Sequence, residues 1–167
     1  LFQLFAREYG TNNFPDCSNM CHEATSVGLP RSIGIGKGTV SLDDFDKTEL
    51  VISIGHNPGT NHPRMMGTLH ELARRNVPII VFNPLRERAL ERFADPQSVI
   101  EMATYSSTDI ASTYFQVKAG GDAAALKGIA KHLLEMEAER GDVLDRAFIA
   151  EHTQGFEDFA DDIAQTR

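Results

Sequence analysis

Leu50-Val51-Ile52-Ser53-Ile54-Gly55-His56-Asn57-Pro58 is the stretch whose reading decides the fold. Its first five residues are a nearly continuous apolar run with a β-branched majority, the pattern of a strand buried on both faces, as in a parallel sheet. Gly55 ends the run, and Asn57-Pro58 begins a turn. Pro63 suits the first turn of a helix whose apolar face is Met65, Met66, Leu69, Leu72 and Ala73. Arg74-Arg75-Asn76 closes it with the charge that favours a helix C-terminus. A second buried strand follows over Val77–Phe82, closed by Asn83-Pro84.

The alternation continues downstream. A charged helix is expected from about Arg86 to Phe93, and short strands over Ser98–Met102 and Tyr114–Val117. Gly120-Gly121-Asp122 then leads into a helix with Leu126, Ile129, Ala130, Leu133 and Leu134 on one face. Phe148–Ile163 reads as a final helical region hinged near Thr153-Gln154-Gly155. Strands alternating with helices through tight loops predict an α/β fold: a doubly wound, mostly parallel sheet flanked by helices, Rossmann-like and nucleotide-binding in type. In such sheets ligands lie beyond the carboxyl ends of the strands. Three loops are therefore expected to converge: Gly55–Asn61, Phe82–Leu85 and Lys118–Asp122.

Upstream of the decisive strand, Leu1, Phe2, Leu4, Phe5 and Tyr9 trace a helical stripe, followed by a polar loop and the run Asn12–His22. A protein seldom opens mid-helix on its most apolar face, so the chain is read as a segment of a longer multidomain polypeptide, with residues 1–167 forming one α/β domain. Ser41–Thr48 is an acidic, helix-capable turn with Ser41 as its N-cap. Gly34-Ile35-Gly36-Lys37-Gly38-Thr39 looks like a phosphate loop but is neither of the known ones. Arg31 and Gly38 stand where a Walker loop needs glycine and Ser/Thr, and Thr39 stands at the third glycine of a dinucleotide fingerprint.

Composition narrows the function. With 41% hydrophobic and 24% charged residues, the chain has the balance of an ordinary globular domain. A formal charge of −8 argues against a nucleic-acid partner, since phosphate backbones need a Lys/Arg surface. No apolar run approaches the roughly 20 residues of a membrane span, and no signal peptide is visible. Two cysteines are too few for a disulfide scaffold or a four-ligand zinc site, so a reducing cytoplasm is the expected location. On the residues alone Cys21-His22 has two readings. Cys21 is either a thiolate ligand for a soft or redox-active metal, with His22 relaying a proton, or an inert core thiol beside a surface histidine. Gly55-His56-Asn57-Pro58 is equally a ligand-approach loop or plain turn chemistry, and Asp122 a ligand acceptor or an N-cap.

One ordered set of motifs spans nearly the whole chain: Asp16-Cys17 through Cys21-His22-Glu23, Val27-Gly28-Leu29, Ile54-Gly55-His56-Asn57-Pro58 with His62-Pro63, Phe82-Asn83-Pro84, Gly120-Gly121-Asp122, and Phe148 to Phe156. In this order they resemble the molybdopterin-dependent oxidoreductase alpha subunits related to formate dehydrogenase, within the dimethyl sulfoxide reductase superfamily. The resemblance implies a molybdenum or tungsten ion held by two molybdopterin guanine dinucleotides. Cys21 matches the metal-ligating cysteine or selenocysteine, and His22 the histidine thought to assist proton movement. Gly55, His56, Asn57, Thr60 and Asn61 match the loop contacting one dinucleotide. Phe82, Asn83 and Pro84 match a second contact, and Gln116, Lys118, Gly120 and Asp122 a third. It also implies a small-molecule substrate, an electron-transfer partner, and docking against the remaining domains of the parent polypeptide. An iron–sulfur cluster, where relatives have one, lies upstream of this segment. Two departures bear on the substrate: Asn83-Pro84-Leu85 stands where many relatives have Asp-Pro-Arg, and Glu23-Ala24 replaces the small residue and proline after the Cys-His pair. The competing function is a nucleotide-binding or interaction module with no redox chemistry of its own, in which Cys21 is dispensable.

Overall fold

The computed structural model describes residues 1–14 and 16–166. Pro15, inside the Asn12–His22 run, and Arg167 lie outside the described residues. The chain divides into two compact units, Leu1–Asp44 and Phe45–Arg167.

The first unit is helical. Helix α1 (Phe2–Tyr9) ends at Gly10, whose φ of 87° is the left-handed conformation that glycine adopts without penalty. Leu1, Phe2, Leu4, Phe5 and Tyr9 are all exposed, and Ala6 is buried. Helices α2 (Cys17–Cys21) and α3 (Glu23–Ile33) follow in immediate succession, joined by His22. The Asp16 carboxylate accepts the Ser18 N–H at 2.9 Å and caps α2. That bond, first among its causes, holds the Asp16 carboxyl below its ordinary range. At Ser41 the expected cap is reversed. The Asp44 carboxylate accepts from both the Ser41 N–H (2.7 Å) and its hydroxyl (2.8 Å), because a carboxylate is the stronger acceptor of the two side chains.

The second unit is the α/β body. After a 3₁₀ turn at Asp43–Lys47, the expected strand appears as β1 (Val51–Ile54), followed by the single turn α4 (Pro58–Asn61) and helix α5 (Met65–Arg74). Strand β2 (Ile79–Phe82) leads to the one-turn helix α6 (Arg88–Glu91) and strand β3 (Arg92–Phe93). Helix α7 (Val99–Thr104) precedes strands β4 (Thr108–Asp109) and β5 (Thr113–Phe115). Helices α8 (Asp122–Arg140), α9 (Arg146–His152) and α10 (Phe156–Gln165) end the chain, with the break at Thr153–Gly155 where the sequence had predicted a hinge.

The main sheet is parallel throughout, in the order β1-β2-β5, and β3 and β4 form a separate antiparallel pair. Helices flank the parallel sheet, so the α/β, Rossmann-like class expected from the sequence is the observed one. The core is the apolar face of α5 laid on this sheet: Met66, Leu69 and Leu72 pack with Ile79 and Val81 of β2, Leu90 of α6 and Ile110. Each such side chain contributes about 1.5–3 kcal/mol by leaving water. Among the described residues no helix is long and apolar enough to cross a membrane.

Two predicted elements differ. Ser98–Met102 is not a strand: the Ser98 hydroxyl accepts the Glu101 N–H at 3.3 Å and starts helix α7 instead. The β-branched Val99 and Ile100 lie exposed, so capping wins where packing exerts no pull. The charged Arg86–Phe93 helix shrinks to one turn, since Arg92 and Phe93 pair with Asp109 and Thr108 across the small sheet.

The excursion that carries α7 is tied to α5 by one buried polar cluster. His70 Nε2 lies 2.8 Å from Glu101 Oε1 and 3.0 Å from the Thr108 hydroxyl, while Glu101 Oε2 accepts the Asp95 N–H at 2.8 Å. The Asp95 N–H, then the His70 ring, hold the Glu101 carboxyl below its ordinary value against the opposing effect of burial. A depressed folded-state value makes this contribution to stability present above the ordinary 4.5 and lost as pH falls through the lower folded value. Urea unfolding midpoints should therefore fall more steeply below about pH 4.5 in the natural protein than in Glu101→Gln. Parallel acid limbs would place the acid sensitivity elsewhere. Leu69→Ala, at the centre of the core, should cost about 2–5 kcal/mol in the same assay at neutral pH.

Candidate functional site

Because β1, β2 and β5 run parallel, their carboxyl ends share one edge of the sheet, and three loops leave it there. The pairing reaches one residue past each strand: Gly55 N–H donates to the Phe82 carbonyl at 2.9 Å, and Asn83 N–H to the Phe115 carbonyl at 3.1 Å. The predicted residues of all three loops therefore emerge from one structural level.

The first loop holds Gly55, His56, Asn57, Thr60 and Asn61. Gly55 turns the chain at φ 61°, a conformation that disfavours any residue with a Cβ. Asn57 uses both ends of its amide: Oδ1 accepts the Thr60 N–H at 3.1 Å and caps α4, and Nδ2 donates to Glu87 at 2.7 Å. Pro58 fills the first position of α4 and is buried. Gly59 lies so close to α6 that a Cβ there would overlap the Ala89 Cβ. His56 Nε2 lies 3.1 Å from His62 Nδ1. Between these two nitrogens there is room for one proton, since two facing N–H groups would repel. Thr60 and Asn61 are exposed.

The second loop is strapped from β5. The Tyr114 hydroxyl donates to the Leu85 carbonyl at 2.7 Å and accepts the Glu87 N–H at 3.0 Å, and Gln116 Nε2 donates to the Pro84 carbonyl at 2.8 Å. Phe82 stacks on Phe115 with centroids 5.0 Å apart, and Asn83 is 5% exposed. In the third loop Gly120 has φ 81°, and Gly121 N–H closes a turn on the Lys118 carbonyl at 2.8 Å. Lys118 is exposed. Asp122 does not cap α8, since Gly121 takes that position, and its Oδ1 is buried without a hydrogen-bond partner.

Cys21 and His22 belong to the other unit, at the junction of α2 and α3. Cys17 and Cys21 are free, exposed thiols on successive turns of α2. Among the described residues no three His, Cys, Asp or Glu side chains gather into a metal-ligand set.

Sequence reading missed Glu87 and Tyr114, which hold the first and second loops together. Tyr114 was legible only as a strand residue, and nothing in the spacing links Glu87 to Asn57, thirty positions away. A cleft of about 470 Å³, lined by Arg86, Arg88, Glu91, Arg92, Asp109, Ala111 and Tyr114, contains none of the predicted site residues. Two of its arginines are paired, Arg86 with Glu91 and Arg92 with Asp109.

Against proteins of known sequence, no family model matches this chain. It is 58% identical over 168 residues to the protein YdeP of Escherichia coli (strain K12), a match covering 98% of this chain and 22% of that protein. The uncharacterized oxidoreductase Rv2900c of Mycobacterium tuberculosis (strain ATCC 25618 / H37Rv) is 46% identical over 160 residues, covering 95% of this chain and 20% of that protein. Formate dehydrogenase H of Escherichia coli (strain K12) is 29% identical over 160 residues, covering 95% of this chain and 19% of that protein. The chain thus spans about a fifth of the length of the relatives it matches, and it is related to oxidoreductases.

Burial, and after it the neighbouring His62, lowers the His56 pKa from its ordinary 6.5. The unfolded chain then holds more protons than the folded one just below that value, so this group makes folding less favourable as pH falls through it. In His62→Ala the second cause disappears, and the His56 ring resonances should titrate closer to 6.5 by NMR. An unmoved titration would leave burial as the sole cause. Gly59→Ala should destabilise the protein by about 1–3 kcal/mol, because α4 must move off α6 to admit the methyl group.

Proposed function

We propose that this chain is the dinucleotide-binding segment of a molybdenum- or tungsten-dependent oxidoreductase of formate dehydrogenase type. The observation that carries the reading is where the parallel sheet puts the loops that the sequence likeness singles out. The loops at the carboxyl edge of the parallel sheet are the ones that the family resemblance assigns to molybdopterin guanine dinucleotide, and formate dehydrogenase H aligns over 95% of the chain.

The residues present fit such a group. Gly55, Gly120 and the turn at Gly121 leave backbone without side chains in the way, which lets a phosphate-bearing ligand approach closely. Lys118 is an exposed cation beside them. The buried, unpartnered Asp122 Oδ1 is an acceptor that costs about 1–3 kcal/mol to leave unsatisfied, and an N–H of a purine base would satisfy it. An exposed thiol at Cys21, with no set of three protein ligands around it among the described residues, suits a metal whose other ligands come from the cofactor. When bound, the metal and its two pterins supply a two-electron change on a small substrate.

The chain's own contribution is then to bind, orient and move protons. Cys21 supplies the one protein ligand, and His22 takes or returns the substrate proton at its ring nitrogen. Gly55, His56, Asn57, Thr60 and Asn61 hold one dinucleotide, Phe82, Asn83 and Pro84 a second contact, and Gln116, Lys118, Gly120 and Asp122 a third. The whole enzyme needs the rest of the polypeptide, a small-molecule substrate and an electron partner. A cytoplasmic location is part of the same proposal.

Elemental and pterin analysis of the complete polypeptide, purified from its own host, tests the class. Molybdenum or tungsten with roughly two pterins per metal is expected. Metal-free, pterin-free protein from a host that loads such cofactors would reject it. Cys21→Ala should cut turnover by roughly 100-fold or more and alter the metal spectrum while pterin content holds. Unchanged spectrum and turnover would remove Cys21 from the site.

A further inference from the structure

Strand β1 is an outer strand whose sequence is that of an inner one. It stands at the end of the order β1-β2-β5, so one of its edges has no partner among the described residues. The pairing parity shows which groups face that edge. Val51 N–H donates to the Pro78 carbonyl and Gly55 N–H to the Phe82 carbonyl, both at 2.9 Å. In a parallel ladder alternate residues bond to the same neighbour, so Ile52 and Ile54 turn their N–H and C=O groups outward.

Outer strands in natural sheets carry protection against stray pairing, such as a charge, a proline or a bulge. Val51–Ile54 has no charge and no proline, and it pairs with β2 residue for residue without a bulge. It is also apolar on both faces. Ile52 and Ile54 are 44% and 38% exposed on one face. Along the strand runs a groove lined by Val51, Ile52, Ser53, Ile54, His56, Met65 and Leu69, and the Ser53 hydroxyl is buried without a partner. Strands buried on both faces belong to sheet interiors.

We propose that the free edge of β1 pairs with an apolar, β-branched strand from a part of the same polypeptide outside these 167 residues. Two observations select that occupant over a second copy or a foreign chain. The relatives carry about four-fifths of their length outside the aligned region, so the same chain has sequence to supply. The order β5-β2-β1 is also one half of a doubly wound sheet, which continues by placing its next strand on the far side of the first. Helix α8, leaving β5, starts the crossover such a strand requires. The added strand puts the reversal of strand order at β1. The crevice above Gly55 then has a wall on each side, as ligand sites at such reversals do.

Residue-resolved hydrogen exchange on the complete polypeptide tests this without reference to any cofactor. The Ile52 and Ile54 amides should be protected to within about tenfold of the inward-facing Ser53 amide. Exchange at Ile52 and Ile54 that is roughly a thousandfold faster than at Ser53 would overturn the proposal. Protection that disappears on dilution, together with an oligomer, would identify a second copy as the occupant and overturn the intramolecular assignment. In Ile52→Asp the docked strand should be lost, so Ile54 exchange accelerates while Ser53, bonded to β2, stays slow. An Ile54 rate unmoved by that substitution would also count against the paired edge.

Discussion

The second unit is organised by one constraint: β2 must pair in parallel on both sides at once. Its register with β1 sets Ile54 beside Phe82, and its register with β5 sets Phe115 beside the same Phe82. That row fixes the level at which Gly55, Asn83 and Gln116 leave the sheet. Slipping β1 or β5 by one residue would turn Val51 or Tyr114, which pack against the core beside Ile79 and Val81, to the opposite face, so burial on α5 enforces the register. The convergence of the three loops thus follows from core packing and is independent of any ligand.

What the sequence disclosed follows the same physics. Strand β2 and helix α5 were legible because a continuous apolar run and a helical stripe are what burial on this sheet demands; β1 carries the same kind of run, although Ile52 and Ile54 lie exposed. The break between α9 and α10 was legible because Gly155 takes φ 74°. The region from Arg86 to Asp109 was not. There the chain is governed by individual polar bonds, the Ser98 cap, the Glu101–His70 contact and the Tyr114 hydroxyl, between residues whose pairing leaves no periodic trace. At the candidate site the loops and their glycines could be read, but the bonds among their side chains could not. Gly59 shows the limit clearly, since its need to lack a Cβ depends on Ala89, thirty residues later.

Those internal bonds change the meaning of the site residues. Asn57 and Gln116, which the family resemblance marks as ligand contacts, spend much of their hydrogen-bonding capacity on Thr60, Glu87 and Pro84. Their first effect is to fasten loops, holding α4 and the β2–α6 connection in place before any ligand arrives. Thr60, Asn61 and Lys118 are exposed, and Asp122 Oδ1 is unpartnered. These groups keep their capacity for something outside the chain. Binding lost at Asn57 or Gln116 would therefore come with a loosened loop, whereas binding lost at Lys118 or Asp122 would come from a missing contact. A preorganised backbone with a few uncommitted polar groups holds a large anionic ligand at lower entropic cost than flexible loops would. The rigid members of each loop and the free ones are thus two parts of a single design, and the sheet edge is where they meet.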